Sequence, residues 1–347
     1  MFQLRTLLLC VPFLSMTATA ELLPTVASLL PELQGSLPVA TSNLTLKEVL
    51  SREEVKEYLN GSSKLFGGEM YVNDVLATDR GVLTFPLTLP DDASSFGSLA
   101  GDSVTITGLV FYPTNDDNSR ADYVVPARVF EDREVVLQHM QVNHDVQRSE
   151  HRYPLVLFSH GFAAHPLYDF DFLQKLASHG MVVVALLHGD RRFDDFKEMQ
   201  SLRAYGLIEA VRRLRLSPWR QLPDYSHTGV IGVSFGGSVA LALAGAQLND
   251  YEGLALPEEL ASLRAVIGMV PATTYRGDAK WSFDKLQLDP LLIMAEKDES
   301  VAVAPELELI DANENFTPDV AVLKGEGHFV SASKWRIARQ LVLLKLR

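Results

Sequence analysis

Cysteine is nearly missing from this 347-residue chain: Cys10 is the only one. No internal disulfide can brace the fold, so stability has to come from a buried core. With 47% of its residues apolar, the chain is long enough to bury a large one. Basic residues are outnumbered, 31 Lys and Arg against 44 Asp and Glu, for a formal net charge of −13. Such a surface is repelled by nucleic acid and by anionic membranes, which argues against both as partners, and we read the surplus as solubility. Long hydrophobic runs are missing apart from 7–16, and about ten apolar residues fall short of the roughly twenty that span a bilayer. No internal repeat, low-complexity tract or Pro/Gly/Ser-rich linker divides the chain.

The one apolar run has a recognisable setting. Arg5 precedes it and Ala18-Thr-Ala20 follows it before Glu21, the layout of a secretory signal peptide cleaved after Ala20. The alternative is an uncleaved anchor, which the run is too short to form. The mature protein is therefore expected to be secreted or periplasmic, free of cysteine, and at −14 once Arg5 is removed. Asn43, Asn60 and Asn315 match the glycosylation pattern, but so short a pattern recurs by chance and we give it no weight.

The expected organisation is a signal peptide over 1–20, an N-terminal extension over 21–66 and one catalytic domain over 67–347. In the extension, Thr45-Leu-Lys-Glu48 is a capping box opening an amphipathic helix that Asn60-Gly61 would close. Segments 69–79 and 102–112 read as antiparallel strands, and 114–119 as a solvated turn without the ligand spacing of a calcium loop. From residue 153, strands over 153–158, 181–187, 228–233, 264–270, 290–295 and 319–323 alternate with helices near 169–178, 198–215, 235–247 and 331–346. This alternation predicts an α/β fold, a mostly parallel central sheet with helices on both faces. The strands are runs of Val, Ile and Leu without polar alternation, as strands covered on both faces must be.

Chemistry concentrates at three loops. The strand ending in Gly232-x-Ser234-x-Gly236 runs directly into an Ala/Leu-rich helix, which is the nucleophile elbow of a serine hydrolase, and Ser234 is the candidate nucleophile. After the strand 290–295 come Glu296-Lys-Asp298-Glu299, where Asp298 is the candidate acid and Glu296 the fallback. After 319–323 comes Gly325-Glu-Gly-His328-Phe329, where His328 is the candidate general base. A serine hydroxyl becomes nucleophilic only when an imidazole takes its proton, and a carboxylate holds that ring in the right tautomer.

An oxyanion hole completes the set. The amides of Phe235, just after the elbow, and of Phe162, in Ser159-His160-Gly161-Phe162 after the strand 153–158, are the candidate donors, each worth on the order of 3 kcal/mol in the transition state. His160 reads as structural or pocket-lining. His188-Gly-Asp190-Arg-Arg192 is read either as cleft lining or as a solvated ion-pair face. His139, His144 and His151 have no metal-ligand spacing, so no metal is assigned, and no cofactor.

Phe158-Ser-His-Gly161, Leu176-Ala-Ser-His-Gly180 with the following Met-Val-Val-Val184, and Gly232-Val-Ser-Phe-Gly-Gly237 resemble the α/β-hydrolase superfamily, in particular the dienelactone hydrolase, platelet-activating-factor acetylhydrolase and polyester hydrolase group. The resemblance covers about residues 100–346. It implies hydrolysis of carboxylic esters through an acyl-serine intermediate, with no metal or organic cofactor and a small-molecule or lipid-like ester as substrate. The acetylhydrolases carry their acid just after the strand that follows the nucleophile helix, where this chain has Ile267-Gly-Met-Val-Pro271, so the resemblance favours Asp298, placed as in the polyester and general esterase branches. Dienelactone hydrolases use a cysteine where this chain has Ser234.

The connection between 270 and 290 is too short for a large cap, so an open cleft is expected, and Tyr275, Trp281 and Phe283 are read either as its aromatic rim or as packing residues. A serine peptidase or acyltransferase on the same fold, and a non-catalytic binding protein, stand as alternatives. The sequence sets no oligomeric state.

Overall fold

The structure, a computed structural model, describes residues 78–113, 123–125, 135–137, 152–188, 195–248, 260, 262–273, 281–286, 288–323, 325–329, 342 and 345–346. The signal peptide, the extension, segment 69–77, the turn at 114–119, His139, His144 and His151, Asp190 to Arg192, Tyr275 and nearly all of the expected helix 331–346 lie outside the described residues.

In chain order the strands are β1 (Thr78–Thr88), β2 (Ser103–Pro113), β3 (Tyr123–Val125), β4 (Val135–Leu137), β5 (Tyr153–Ser159), β6 (Val182–Leu187), β7 (Pro223–Val233), β8 (Gln247–Leu248), β9 (Leu263–Met269), β10 (Trp281–Ser282), β11 (Leu291–Ala295) and β12 (Asp319–Leu323). The helices are α1 (Ala93–Phe96), α2 (Phe170–Ser178), α3 (Phe196–Leu216), α4 (Phe235–Leu243) and α5 (Val303–Asp311). Eight strands form one sheet in the order β1-β2-β6-β5-β7-β9-β11-β12. The first two pairings, β1 with β2 and β2 with β6, are antiparallel, and the rest are parallel.

The apolar runs follow from burial on both sides of this sheet. Along β5, Leu155 and Leu157 pack into the core beneath α3 and α4, while Val156 and Phe158 pack into the core beneath α2. Along β6, Val182, Val184 and Leu186 take the first side, Val183 and Ala185 the second. Because successive side chains of a strand point to opposite faces, a strand wet on neither face has no position for a polar residue.

Edge strand β1 behaves differently. Leu83, Phe85, Leu87 and Leu89 are buried on the α3 side, and Thr84, Pro86 and Thr88 between them are exposed. Pro86 lacks an N–H and is tolerated at an edge. Of the expected strand 69–79 only Thr78 and Asp79 lie among the described residues, and both belong to β1. The strand continues to Thr88 because its period-2 alternation buries a full apolar face against α3.

Helix α4 ends at Leu243, earlier than the expected 247. Gly245, with φ of 108°, turns the chain out of the helix, and Ala246 N–H to Leu241 O at 3.0 Å with Gly245 N–H to Ala242 O at 3.1 Å close a Schellman motif. Residues Gln247 and Leu248 then pair with β10.

The connection after β5 returns along the α2 face to β6, whereas the connection after β7 runs along the α4 face to β9. Neighbouring strands whose chains depart to opposite faces leave a crevice at their carboxyl ends. That crevice lies between Ser159-His160-Gly161-Phe162 and Ser234.

Candidate active site

Ser234 joins β7 to α4 with φ of 53° and ψ of −120°, a conformation that a side chain other than glycine rarely adopts. The surrounding backbone enforces it: Ser234 N–H donates to Met269 O at 2.8 Å, and its carbonyl accepts from Gly237 N–H at 2.8 Å and Ala272 N–H at 3.0 Å. The turn is possible because Gly232 and Gly236 have no side chain. A Cβ on Gly232 would overlap the Gly236 carbonyl, and one on Gly236 would overlap the Ser159 carbonyl.

His328 and Asp298 arrive on the loops after β12 and β11, neighbouring parallel strands. The loops are tied together by Glu296 N–H to Leu323 O at 3.1 Å and Lys297 N–H to Glu326 O at 2.7 Å. His328 Nδ1 lies 2.7 Å from Asp298 Oδ2, and His328 Nε2 lies 3.0 Å from Ser234 Oγ. A carboxylate only accepts, so Nδ1 carries the proton, and Nε2 of the neutral ring is left to accept from the serine hydroxyl. Asp298 is held in turn: its Oδ1 accepts from Ser300 N–H at 2.8 Å and Val301 N–H at 2.7 Å. Its side chain is 1% exposed and that of His328 17%, so the pair is shielded while the imidazole edge stays open to a substrate.

Glu296, the fallback acid, points elsewhere. Its Oε2 accepts from Gly325 N–H at 2.7 Å, where it braces the histidine loop from outside.

Phe235 is the first residue of α4, so its N–H has no acceptor within the helix. Phe162 faces it across the crevice, and a Cβ on the preceding Gly161 would sit 3.5 Å from the Ser234 Cβ. The two loops meet at the nucleophile. The Phe162 ring stacks on Phe196, with centroids 5.1 Å apart, and Phe196 meets Phe235 edge-on at 5.0 Å. Phe162 is about half exposed and Phe329, beside His328, almost fully.

Histidine 160 is buried beneath the loop and its Nδ1 donates to Gly161 O at 2.7 Å. Of His188-Gly-Asp190-Arg-Arg192 only His188 lies among the described residues; His188 is buried, with Nε2 3.1 Å from Ser159 Oγ and its ring 4.8 Å from that of His160. Burial, then the Arg203 guanidinium, then His160 push its pKa well below the usual imidazole range, so it is neutral. Trp281 and Phe283 form no rim. Both are buried, with Phe283 stacked on Phe316 at 3.8 Å and Trp281 Nε1 donating to Thr273 O at 2.8 Å. The aromatic pair at the crevice, Phe162 on the loop after β5 and Phe196 at the start of α3, comes from two elements whose approach no local pattern reveals. Arg203, buried on α3, was missed because one arginine inside an amphipathic helix reads as a surface residue.

Among the described residues no group of three or more His, Cys, Asp or Glu is arranged to hold a metal ion, and no helix is long and apolar enough to cross a membrane.

The chlorophyllase family model matches residues 144–283, which run from before β5 through the elbow to β10. No curated protein matches the chain. A solved dienelactone hydrolase from Anabaena variabilis is similar at 15% identity and a TM-score of 0.42, over 77% of this chain and 99% of that one. The mixed sheet with its strand order and crossovers and the strained serine at the strand–helix turn give this chain the α/β-hydrolase fold, and its segment 144–283 is similar to the chlorophyllase family.

Proposed function

We propose that this α/β-hydrolase-fold chain is an exported serine esterase that cleaves carboxylic esters through an acyl-serine intermediate. The observation that carries the reading is the unbroken hydrogen-bonded line from Asp298 through His328 to Ser234, ending at the head of α4. Ser234 Oγ attacks the ester carbonyl carbon as its proton passes to His328 Nε2. Asp298 stabilises the imidazolium so formed, and the amides of Phe162 and Phe235 receive the negative oxygen. Collapse of the tetrahedral species breaks the bond to the alcohol oxygen, which takes the proton from His328. A water then enters, loses its proton to His328 and releases the acid, with Ser234 regaining its hydrogen.

Apolar esters suit the exposed rings of Phe162 and Phe329 on either side of the nucleophile. Export rests on the leader ending at Ala20. Hydrolysis of p-nitrophenyl esters from acetyl to palmitoyl, run beside Ser234→Ala, tests the reading. Turnover lost by about 10⁴-fold or more in the variant supports it. No turnover by the folded wild type across the series, while a peptide or an acyl-acceptor alcohol is processed, transfers the site to a peptidase or acyltransferase.

A further inference from the structure

Arg203 lies on α3 and is 0% exposed, although arginine is among the residue types least often buried. Its guanidinium reaches out of the helix to the end of β5. Nη1 donates to His160 O and, at 3.3 Å, to Ser159 Oγ, and Nη2 donates to Gly161 O at 2.9 Å. Its flat face covers the Phe235 ring, with Cζ 4.7 Å from the centroid. The Arg203 Nη2 to His160 Nδ1 approach of 3.4 Å is not a hydrogen bond, because that nitrogen bears the hydrogen it gives to Gly161 O.

The Gly161 carbonyl is the informative acceptor. It receives Arg203 Nη2, His160 Nδ1 and, across a turn, Ala164 N–H at 3.3 Å. The other end of that same peptide unit is the Phe162 N–H. In a planar trans peptide the C=O and N–H point in opposite directions, so whatever fixes the oxygen also aims the hydrogen. Donors on the oxygen also polarise the unit and strengthen its N–H as a donor. The turn needs such anchoring: Ala163 sits at φ of 53°, a conformation disfavoured for alanine.

Building on the esterase reading, we propose that Arg203 is the positioning residue of the oxyanion hole: by holding the Gly161 carbonyl it orients and polarises the Phe162 amide toward the oxygen that becomes negative on attack by Ser234. Arg203 touches no reacting atom. The positioned amide meets the transition state and not the bound ester, so its loss acts on kcat and leaves KM nearly unchanged.

The test compares wild type, Arg203→Met, Arg203→Lys and Ser234→Ala on a p-nitrophenyl ester, with thermal melting to certify folding. A trifluoromethyl ketone is used as inhibitor because its serine adduct places an oxyanion in the hole. Arg203→Met is expected to lower kcat by about 10- to 100-fold, short of the roughly 10²- to 10³-fold cost of deleting a donor outright, with KM within about threefold. The inhibition constant should rise in step with the fall in kcat/KM, which a merely structural role would not produce. Arg203→Lys, keeping the charge but unable to span both carbonyls, should lie between the two. A folded Arg203→Met with wild-type kcat, or a loss confined to KM, overturns the proposal. If Arg203→Met does not fold, the inhibitor correlation is read on Arg203→Lys, and wild-type kcat there overturns it equally. Absence of turnover by wild type would instead refute the esterase reading, and this proposal with it.

Discussion

Two carboxylates, Glu296 and Asp298, stand two residues apart on one loop, and their surroundings give them different tasks. Asp298 is buried, takes two backbone N–H donors on one oxygen and faces His328 with the other. Glu296 is exposed and caps the Gly325 amide. Asp298→Asn presents an amide to Nδ1 and favours the wrong tautomer, so kcat should fall by about 10⁴-fold while the protein stays folded. Glu296→Gln keeps an acceptor for Gly325 and should retain kcat within a few-fold. Steady-state kinetics of the pair decides, and the opposite ranking would move the acid to Glu296. At the same scale, Gly236→Ala drives a methyl into the Ser159 carbonyl and is expected to abolish folding or cost several kcal/mol, read from chemical denaturation.

The parallel strands and their helices were legible as elements, because burial on both faces leaves uninterrupted apolar runs and each helix is bounded by turn residues. Ser234, Asp298 and His328 were legible as candidates because each follows such a strand by a few residues, and a sheet gathers its strand ends whatever the sequence distance. Less legible was α5. Its Glu306-Leu-Glu-Leu pattern alternates with period 2 and hides a helix, in which Glu306 is buried and bonded to the Thr273 amide and hydroxyl. The support beneath the oxyanion loop was also hidden, since Ser159, His188 and Arg203 come from three different elements. That support carries a prediction. His188 is neutral when folded and titrates near the usual value of about 6.5 when unfolded. The unfolded chain therefore binds the extra proton first. Stability from this residue is full above about pH 6.5 and declines by up to about 1.4 kcal/mol per unit below it, until the folded-state pKa is reached. Denaturation midpoints at pH 7.5 and 5 should diverge less in His188→Gln than in wild type. An unchanged gap would mean that the acid sensitivity arises elsewhere.

At the scale of the whole molecule, the absence of disulfide and the excess of acid leave the two-sided core to hold the sheet, and the sheet to hold the site. Phe158, packed against Phe172 on the α2 side, lies just before the loop that carries Phe162, one of the two proposed oxyanion donors. Phe158→Ala is expected to cost about 3–5 kcal/mol in chemical denaturation. If the mature chain begins at Glu21, the intact mass of protein recovered from an exporting host lacks residues 1–20, whereas a retained leader would contradict export.

The central claim is that the substrate's acyl group passes through Ser234. Protein quenched in acid during turnover of p-nitrophenyl acetate and then digested should show, by mass spectrometry, one added acetyl group on the peptide containing Ser234. The modification should be missing from Ser234→Ala. Steady turnover with no acyl group on that peptide, or with turnover preserved in Ser234→Ala, would contradict the account.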